Sequence, residues 1–225
     1  MVNLTPRLKK VADYVRKGVV LADIGTDHAY IPVYLILNGK ISRAYACDIN
    51  EGPLDNAKRI IEEGDIDGVT LLISDGFEAL PEDCAEDFVI AGMGGELISD
   101  ILSRCSWIKN KKYNLILQPM TRAEVLREYL YSNGFAIDDE CFAQEKDKLY
   151  SVIKAHFTGK AESISPAQAL LGKAYNDGLF IFKAQREVDR LNKKLEGLRK
   201  AGLADEINNT EELINEIKGI IDDYC

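Results

Sequence analysis

Four short stretches of this sequence place chemically useful residues where apolar runs give out. The first, Val19–Ile24, carries Asp23 and closes on Gly25, then breaks into the polar turn Thr26-Asp27-His28-Ala29. A glycine lets backbone approach a ligand closely, because it has no Cβ. The end of the first strand of an α/β sheet is also where nucleotide-type ligands bind. Asp48, followed by Ile49, ends the next run 23 residues after Gly25. A carboxylate at that spacing typically accepts hydrogen bonds from ribose hydroxyls. Ser74-Asp75-Gly76 follows a third run, where a carboxylate would take the amino group of an adenine. The fourth stretch, Ala91-Gly92-Met93-Gly94-Gly95, holds three glycines in four residues and marks close backbone approach beside a reacting group. Each Asp alone equally suits a helix N-cap or a turn; three at successive strand ends are harder to explain that way.

The chemistry of the first turn separates two cofactor classes. A dinucleotide fold wants Gly-x-Gly-x-x-Gly, so that a pyrophosphate can sit on a bare helix N-terminus. Here a single glycine is followed by Asp27, which would repel a pyrophosphate and attract the ammonium or sulfonium of S-adenosylmethionine. The expected cofactor-binding set is Asp23, Gly25, Thr26, Asp27, His28, Asp48, Ile49, Ser74, Asp75, Gly76, Ala91, Gly92, Met93 and Gly94.

These residues need a parallel sheet to bring them together, and the pattern supplies one. Apolar, β-branched runs at Val19–Ile24, Ala44–Asp48, Thr70–Ile73, Phe88–Ala91, Asn114–Leu117, Phe135–Phe142 and Tyr150–His156 read as strands. Helical patterns at Pro32–Leu37, Pro53–Glu62, Gly95–Cys105 and Arg122–Asn133 alternate with them, which predicts an α/β Rossmann-like domain over residues 1–160. The last two strands have no helix between them, so one is expected to run antiparallel at the sheet edge. Thr158–Pro166 reads as a linker. Beyond it Ile181, Ala184, Val188, Leu191, Leu195 and Leu198 recur at alternating steps of 3 and 4, an a/d seam. Ala201–Asn209 reads as a turn, and Leu213, Ile217, Ile220 and Tyr224 continue the periodicity. Residues 161–225 are therefore expected to form an α-helical coiled-coil hairpin.

Composition narrows the setting. Hydrophobic residues make up 46% and charged residues 29%, a globular balance, and no apolar run approaches the roughly 18 residues of a membrane span. The N-terminal residues lack the apolar core of a signal peptide. Five dispersed cysteines and two distant histidines, His28 and His156, suit neither a disulfide framework nor a metal site. A cytoplasmic protein with reduced thiols, no metal and no membrane contact is expected. The net charge of −9 argues against nonspecific nucleic-acid binding. Lys183–Lys200, however, holds seven basic residues against three acidic, a local site for a polyanion on an acidic molecule.

The signatures Asp23-Ile24-Gly25-Thr26-Asp27-His28-Ala29-Tyr30, Asp48-Ile49-Asn50, Ala91-Gly92-Met93-Gly94-Gly95 and Leu117-Gln118-Pro119-Met120 together resemble the bacterial TrmK family. The resemblance spans the whole chain, including the helical hairpin. It implies a class I methyltransferase fold, S-adenosylmethionine as methyl donor and N1 of adenine 22 in tRNA as acceptor. In such a reaction the catalytic candidates are Asp27, to balance positive charge on the methylated base or to fix the cofactor's ammonium, and His28, to take a proton from the adenine N6 group. His28 would equally serve as a buried, hydrogen-bonded residue. Tyr30 is a candidate contact to a flipped base, or helix packing. Lys183, Arg186, Arg190, Lys193, Lys194, Arg199 and Lys200 are candidate phosphate contacts, or the solvated face of a coiled coil with Glu187 and Glu196 as partners. Two other readings compete: a methyltransferase for a small molecule or protein that uses the hairpin to dimerise, and a cofactor sensor. The expected assembly is a monomer or a weak homodimer.

Overall fold

A computed structural model describes residues 2–224, whose strands form one seven-stranded sheet. The strands are β1 (Val20–Ile24), β2 (Arg43–Asp48), β3 (Val69–Ile73), β4 (Asp87–Gly94), β5 (Asn114–Thr121), β6 (Phe135–Glu145) and β7 (Lys148–Phe157). The helices are α1 (Pro6–Tyr14), α2 (Tyr30–Leu37), α3 (Glu51–Glu63), α4 (Gly95–Arg104), α5 (Ala123–Ser132), α6 (Pro166–Leu171), α7 (Phe180–Ala201) and α8 (Ala204–Tyr224). Strand order is β3-β2-β1-β4-β5-β7-β6. β1 pairs in parallel with both β2 and β4, so the chain winds outward in both directions from β1. That reversal opens a crevice past the C-terminal ends of β1 and β4, the usual ligand position in such sheets.

β7 runs antiparallel to both β5 and β6. The expectation of an antiparallel edge strand is thus corrected by one place. A tight hairpin, with Glu145 paired to Lys148, folds β7 back between β5 and β6 and leaves β6 at the edge.

Both sheet faces are covered, which is why the strands read as nearly continuous apolar runs. Leu21, Val89 and Ile116 pack on one face with Val11, Ala12 and Val15 at α1 and Ile31 and Leu35 of α2. Ile24, Phe88, Ile90 and Leu117 pack on the other with Ile98 and Leu102 of α4 and Leu126 and Leu130 of α5. α1 was not among the expected elements, although its start is well signalled. Thr5 caps the Leu8 N–H and Pro6 occupies the first turn, where its missing donor costs nothing.

β4 also differs from expectation. The glycine-rich stretch does not leave the sheet as a turn; it stays paired to β5 through Gly94↔Thr121, with register shifts on either side of Met93. Irregular pairing of this kind bends a strand end and re-aims its side chains.

The C-terminal helices share a third apolar cluster. Phe180, Ala184, Val188, Leu191 and Leu195 of α7 meet Ile214 and Ile217 of α8, Ala167 and Leu171 of α6, and Phe142 of β6. Two details correct the expected seam. Phe180, rather than the half-buried Ile181, begins the buried stripe, and Ile214 is more buried than Leu213. The turn is also shorter than 201–209: α7 ends on Gly202 in the left-handed region (φ 70°), and α8 starts at Ala204.

Candidate active site

The first two carboxylates lie where β1 and β2 end. Asp23 belongs to β1 and is 4% exposed; its Oδ2 accepts the Thr26 hydroxyl at 2.6 Å. Thr26, itself buried, also donates its N–H to the Cys47 carbonyl of β2 at 2.8 Å, which fixes the turn against the neighbouring strand. Asp48, half-buried, accepts the Asn50 N–H at 2.8 Å, and Ile49 beside it is 60% exposed. Burial pushes the Asp23 carboxyl up to about 7; the Thr26 hydrogen bond opposes this, and the charges of Asp27 and Asp48 add to it. Three carboxylates close enough to repel one another make a site for a cation, not for a pyrophosphate.

The titration of Asp23 has a consequence for pH. In the free protein its carboxyl titrates near 7 instead of 3.8. A raised carboxyl pKa means that this group's contribution to stability is full below 3.8 and is lost as pH rises through about 7. A bound cation favours the ionised form. Affinity for S-adenosylmethionine is therefore expected to fall below pH 7, by up to about tenfold per unit. Calorimetric titrations between pH 5.5 and 8.5 check this; Asp23→Asn should flatten the dependence, and an equally steep profile in that variant would refute it.

After Gly25 (φ 70°) the backbone holds two successive non-glycine residues in the left-handed region, His28 (φ 56°) and Ala29 (φ 55°). Such conformations are costly and persist where surrounding structure enforces them, often at functional sites. Here Ala29 is fully buried, while the Asp27 side chain stands 79% exposed. His28 Nε2 lies 3.1 Å from Asp27 Oδ1, and its ring stacks on Tyr30 at 5.2 Å between centroids. A Cβ on Gly25 would come within 1.9 Å of Met93 Cε. The Met93 tip can move aside, but alanine at this positive φ is strained by about 1–2 kcal/mol, so Gly25→Ala is expected to displace the turn and weaken cofactor binding about tenfold. Equilibrium dialysis against labelled cofactor reads the effect.

The glycines from the end of β4 into α4 divide by role. Gly92 (φ 85°) is exposed and its missing side chain faces open space, with only Arg7 Nη1 near, at 4.0 Å. A Cβ on Gly95 would strike the Arg122 carbonyl at 2.1 Å, so that glycine serves the packing of α4 against the start of α5. Gln118, fully buried within β5, accepts both the Gly92 N–H at 3.1 Å and the Arg7 guanidinium. Arg7 and Gln118 belong to the site's frame, yet sequence reasoning assigned neither a role. The available signal was a lone Gln closing the apolar run Leu115–Leu117.

The third station is engaged internally. Ser74 donates to the Gly76 carbonyl at 2.9 Å and accepts the Ala79 N–H at 3.0 Å. Both Asp75 oxygens are held by Arg104 at 2.9 Å, which keeps that carboxyl below its ordinary range. An adenine amino group would have to share those oxygens with Arg104. Gly76 (φ 59°) lies against Ile101 of α4, at 3.0 Å from a Cβ placed there.

Of the seven basic residues expected to meet RNA, four gather in one place. Lys183, Arg186, Arg190 and Lys193 line an open groove of about 610 Å³ with Met120, Thr121, Lys148 and Tyr150, at the end of β5. Lys194, Arg199 and Lys200 do not line it. Glu187 lies 2.6 Å from Lys183 and 2.7 Å from Arg190, and Arg199 pairs with Glu211 at 2.7 Å. Lys193, Lys194 and Lys200 are exposed and make no ion pair among the described residues.

The described residues contain no His/Cys/Asp/Glu group able to hold a metal, and no helix long and apolar enough to cross a membrane. Burial pushes Cys47 up to about 12 and Cys84 and Cys105 to about 11, so these thiols are poor nucleophiles.

The family model for a methyltransferase domain matches residues 4–153. The tRNA (adenine(22)-N(1))-methyltransferase of Bacillus subtilis (strain 168) is 42% identical over 154 residues, which is 68% of this chain and 65% of that relative. Among solved structures, the B. subtilis M1A22 tRNA methyltransferase TrmK superposes with a TM-score of 0.82 at 32% identity, covering 96% of this chain and 99% of that one. M. capricolum TrmK, in complex with S-adenosyl-homocysteine, gives 0.82 at 28% identity, covering 97% and 98%.

Proposed function

This chain belongs to the TrmK family of S-adenosylmethionine-dependent methyltransferases, and on that premise we propose that it methylates N1 of adenine 22 in tRNA. The observation that carries the reading is the juxtaposition, at one sheet switch point, of a carboxylate cluster suited to a cation with an open glycine backbone at Gly92. The crowded acids Asp23, Asp27 and Asp48, with the side-chain-free backbone at Gly25, fit S-adenosylmethionine. Bound there, it supplies a methyl group activated by a sulfonium.

The chain's own task is then alignment and charge. Adenine N1 is a neutral nucleophile whose lone pair forms the new N–C bond, so positioning supplies much of the rate. N1 is normally base-paired, and the base must be exposed or flipped to reach the site. The product base carries a positive charge, which we assign to Asp27 because it is the exposed carboxylate of the cluster. We assign His28, held at Asp27, to the N6 edge of the base, where a proton it took would leave the methylated base neutral until that proton returned on release, and Tyr30, stacked on His28, to bound the base. The cofactor is assigned to Asp23, Gly25, Thr26, Asp48, Ile49, Ser74, Asp75, Gly76 and the Ala91–Gly94 stretch. The basic groove of α7 is the surface we assign to tRNA phosphates. We read residues 1–160 as the methyltransferase domain and 161–225 as the helical domain, in a cytoplasmic enzyme that is a monomer or weak homodimer.

The test is methyl transfer from labelled S-adenosylmethionine to unmodified tRNA transcripts, with the site mapped by reverse-transcription stops. A single strong stop at adenine 22 is expected, since a methyl on N1 blocks base pairing. Cofactor binding without transfer to any tRNA would refute the acceptor and move the assignment to a small molecule or protein.

A further inference from the structure

Resting on tRNA as the acceptor, we propose that Arg7 grips a backbone phosphate of the target nucleotide, so that the first helix of the chain holds the RNA strand at the glycine-rich end of β4. Arg7 stands on α1 with its side chain 15% exposed, in a setting that leaves most of its hydrogen-bonding capacity unused. A guanidinium has five N–H donors. Here Nη1 donates to Gln118 Oε1, while Nε is buried with no hydrogen-bond partner. The nearest carboxylate oxygen, Glu145 Oε2, lies 3.9 Å from Nε, beyond hydrogen-bond reach. Glu145 Oε1 is taken by the Arg7 backbone N–H at 3.0 Å. Glu145 gives this largely buried cation only a loose counter-charge, and an anionic ligand would pair with the Nη donors, the buried Nε lying out of its reach.

The geometry points to where that ligand lies. Gln118 Oε1 binds Arg7 and the Gly92 N–H together, and Gln118 Nε2 donates to the Pro119 carbonyl at 2.8 Å. The guanidinium is thereby fixed against Gly92, with the ring of Tyr150 5.8 Å from its carbon. Gly92 is exposed and carries no side chain, so the space beside the guanidinium is open to an incoming chain. A phosphate suits this cation better than the base does. The planar fork matches phosphate oxygens, whereas a cation held against adenine N1 would oppose the charge that N1 acquires. A base turned out of its stack also needs its backbone held, and phosphate contacts supply that positioning.

The experiment compares wild type, Arg7→Ala and Arg7→Lys in tRNA binding and single-turnover methylation, with transcripts carrying one methylphosphonate at each phosphate flanking adenine 22. Arg7→Ala is expected to lose about tenfold or more in tRNA affinity and to lower the salt slope by about 0.7–0.9, with a smaller loss in cofactor affinity. Arg7→Lys should restore the slope and only part of the affinity. One methylphosphonate should weaken wild type and cost Arg7→Ala nothing further, a coupling that a merely structural role would not produce. Wild type indifferent to every flanking methylphosphonate, or additive losses in both Arg7 variants, would overturn the inference while leaving the acceptor intact. A wild type that methylates no tRNA would overturn the acceptor, and this inference with it.

Discussion

Replacing Asp27 by alanine is expected to slow methyl transfer by about 10²–10³-fold while leaving the protein folded. The fold should survive because the Asp27 side chain is 79% exposed and its only described partner is His28. The loss should fall on kcat rather than on cofactor affinity. Asp23 is buried in the β1 turn with Thr26, and Asp48 closes β2, so two acids remain to attract a cofactor cation after Asp27 is gone. Asp27 alone among the three projects into solvent, where the proposed reaction would bring the base to it. Asp27→Asn, which keeps shape and removes charge, should be nearly as slow as the alanine variant. Single-turnover rates at saturating cofactor, beside calorimetric affinities, separate the two effects. A normal rate with a raised cofactor dissociation constant would instead make Asp27 a cofactor ligand.

The second large effect lies away from the chemistry. Arg127→Ala is expected to destabilise the protein by about 3–5 kcal/mol, because it strands a buried carboxylate. Arg127 of α5 is 1% exposed and Glu140 of β6 3%. Arg127 Nε lies 3.2 Å from Glu140 Oε1, and Nη2 donates to Ser151 of β7 at 2.7 Å. Nη1 donates to the carbonyls of Ala169 and Leu170, and Glu140 accepts the Lys173 N–H at 3.0 Å. One ion pair thus ties α5, β6 and β7 to α6, the helix that leads into the hairpin. Thermal unfolding of Arg127→Ala should show a loss on the order of 10 °C. The double variant Arg127→Leu/Glu140→Leu should recover much of it, since a buried pair replaced by apolar residues is often neutral. A single variant within about 1 kcal/mol of wild type would show that the tie carries little.

The α/β frame was legible because the strands are apolar runs closed by Asp or Gly, and the sheet covers both faces of each run. Asp23, Gly25 and Asp48 could be singled out for the same reason: strand ends in such a sheet converge, so spacing along the sequence translates into proximity. What was not legible depended on contacts between distant segments. Nothing near Arg7 in sequence shows that it meets Gln118, and nothing near Asp75 shows that Arg104 holds it. The glycines of the Ala91–Gly95 stretch looked alike, yet Gly92 faces open space and Gly95, which opens α4, faces the Arg122 carbonyl. Asn208 and Asn209 suggested a turn; the burial of Thr210, Ile214 and Ile217 against α7 keeps them helical, an instance of packing overriding local preference.

The fastening of α1 also sets an order of events during synthesis. Arg7 leaves the ribosome well before its partners, Gln118, 111 positions later, and Glu145, 138 positions later. At roughly 5–20 residues per second, on the order of ten seconds separate Arg7 from the residues that orient it. During that interval the acids of β1 and β2 are already made, while the arginine aimed at Gly92 has nothing to hold it. A nascent chain therefore has the β1 turn well before the corner proposed to hold RNA, and a product truncated ahead of β5 would lack that corner permanently. Contacts of such long sequence separation are slow to close, so completion of this corner is expected to be a late step in maturation.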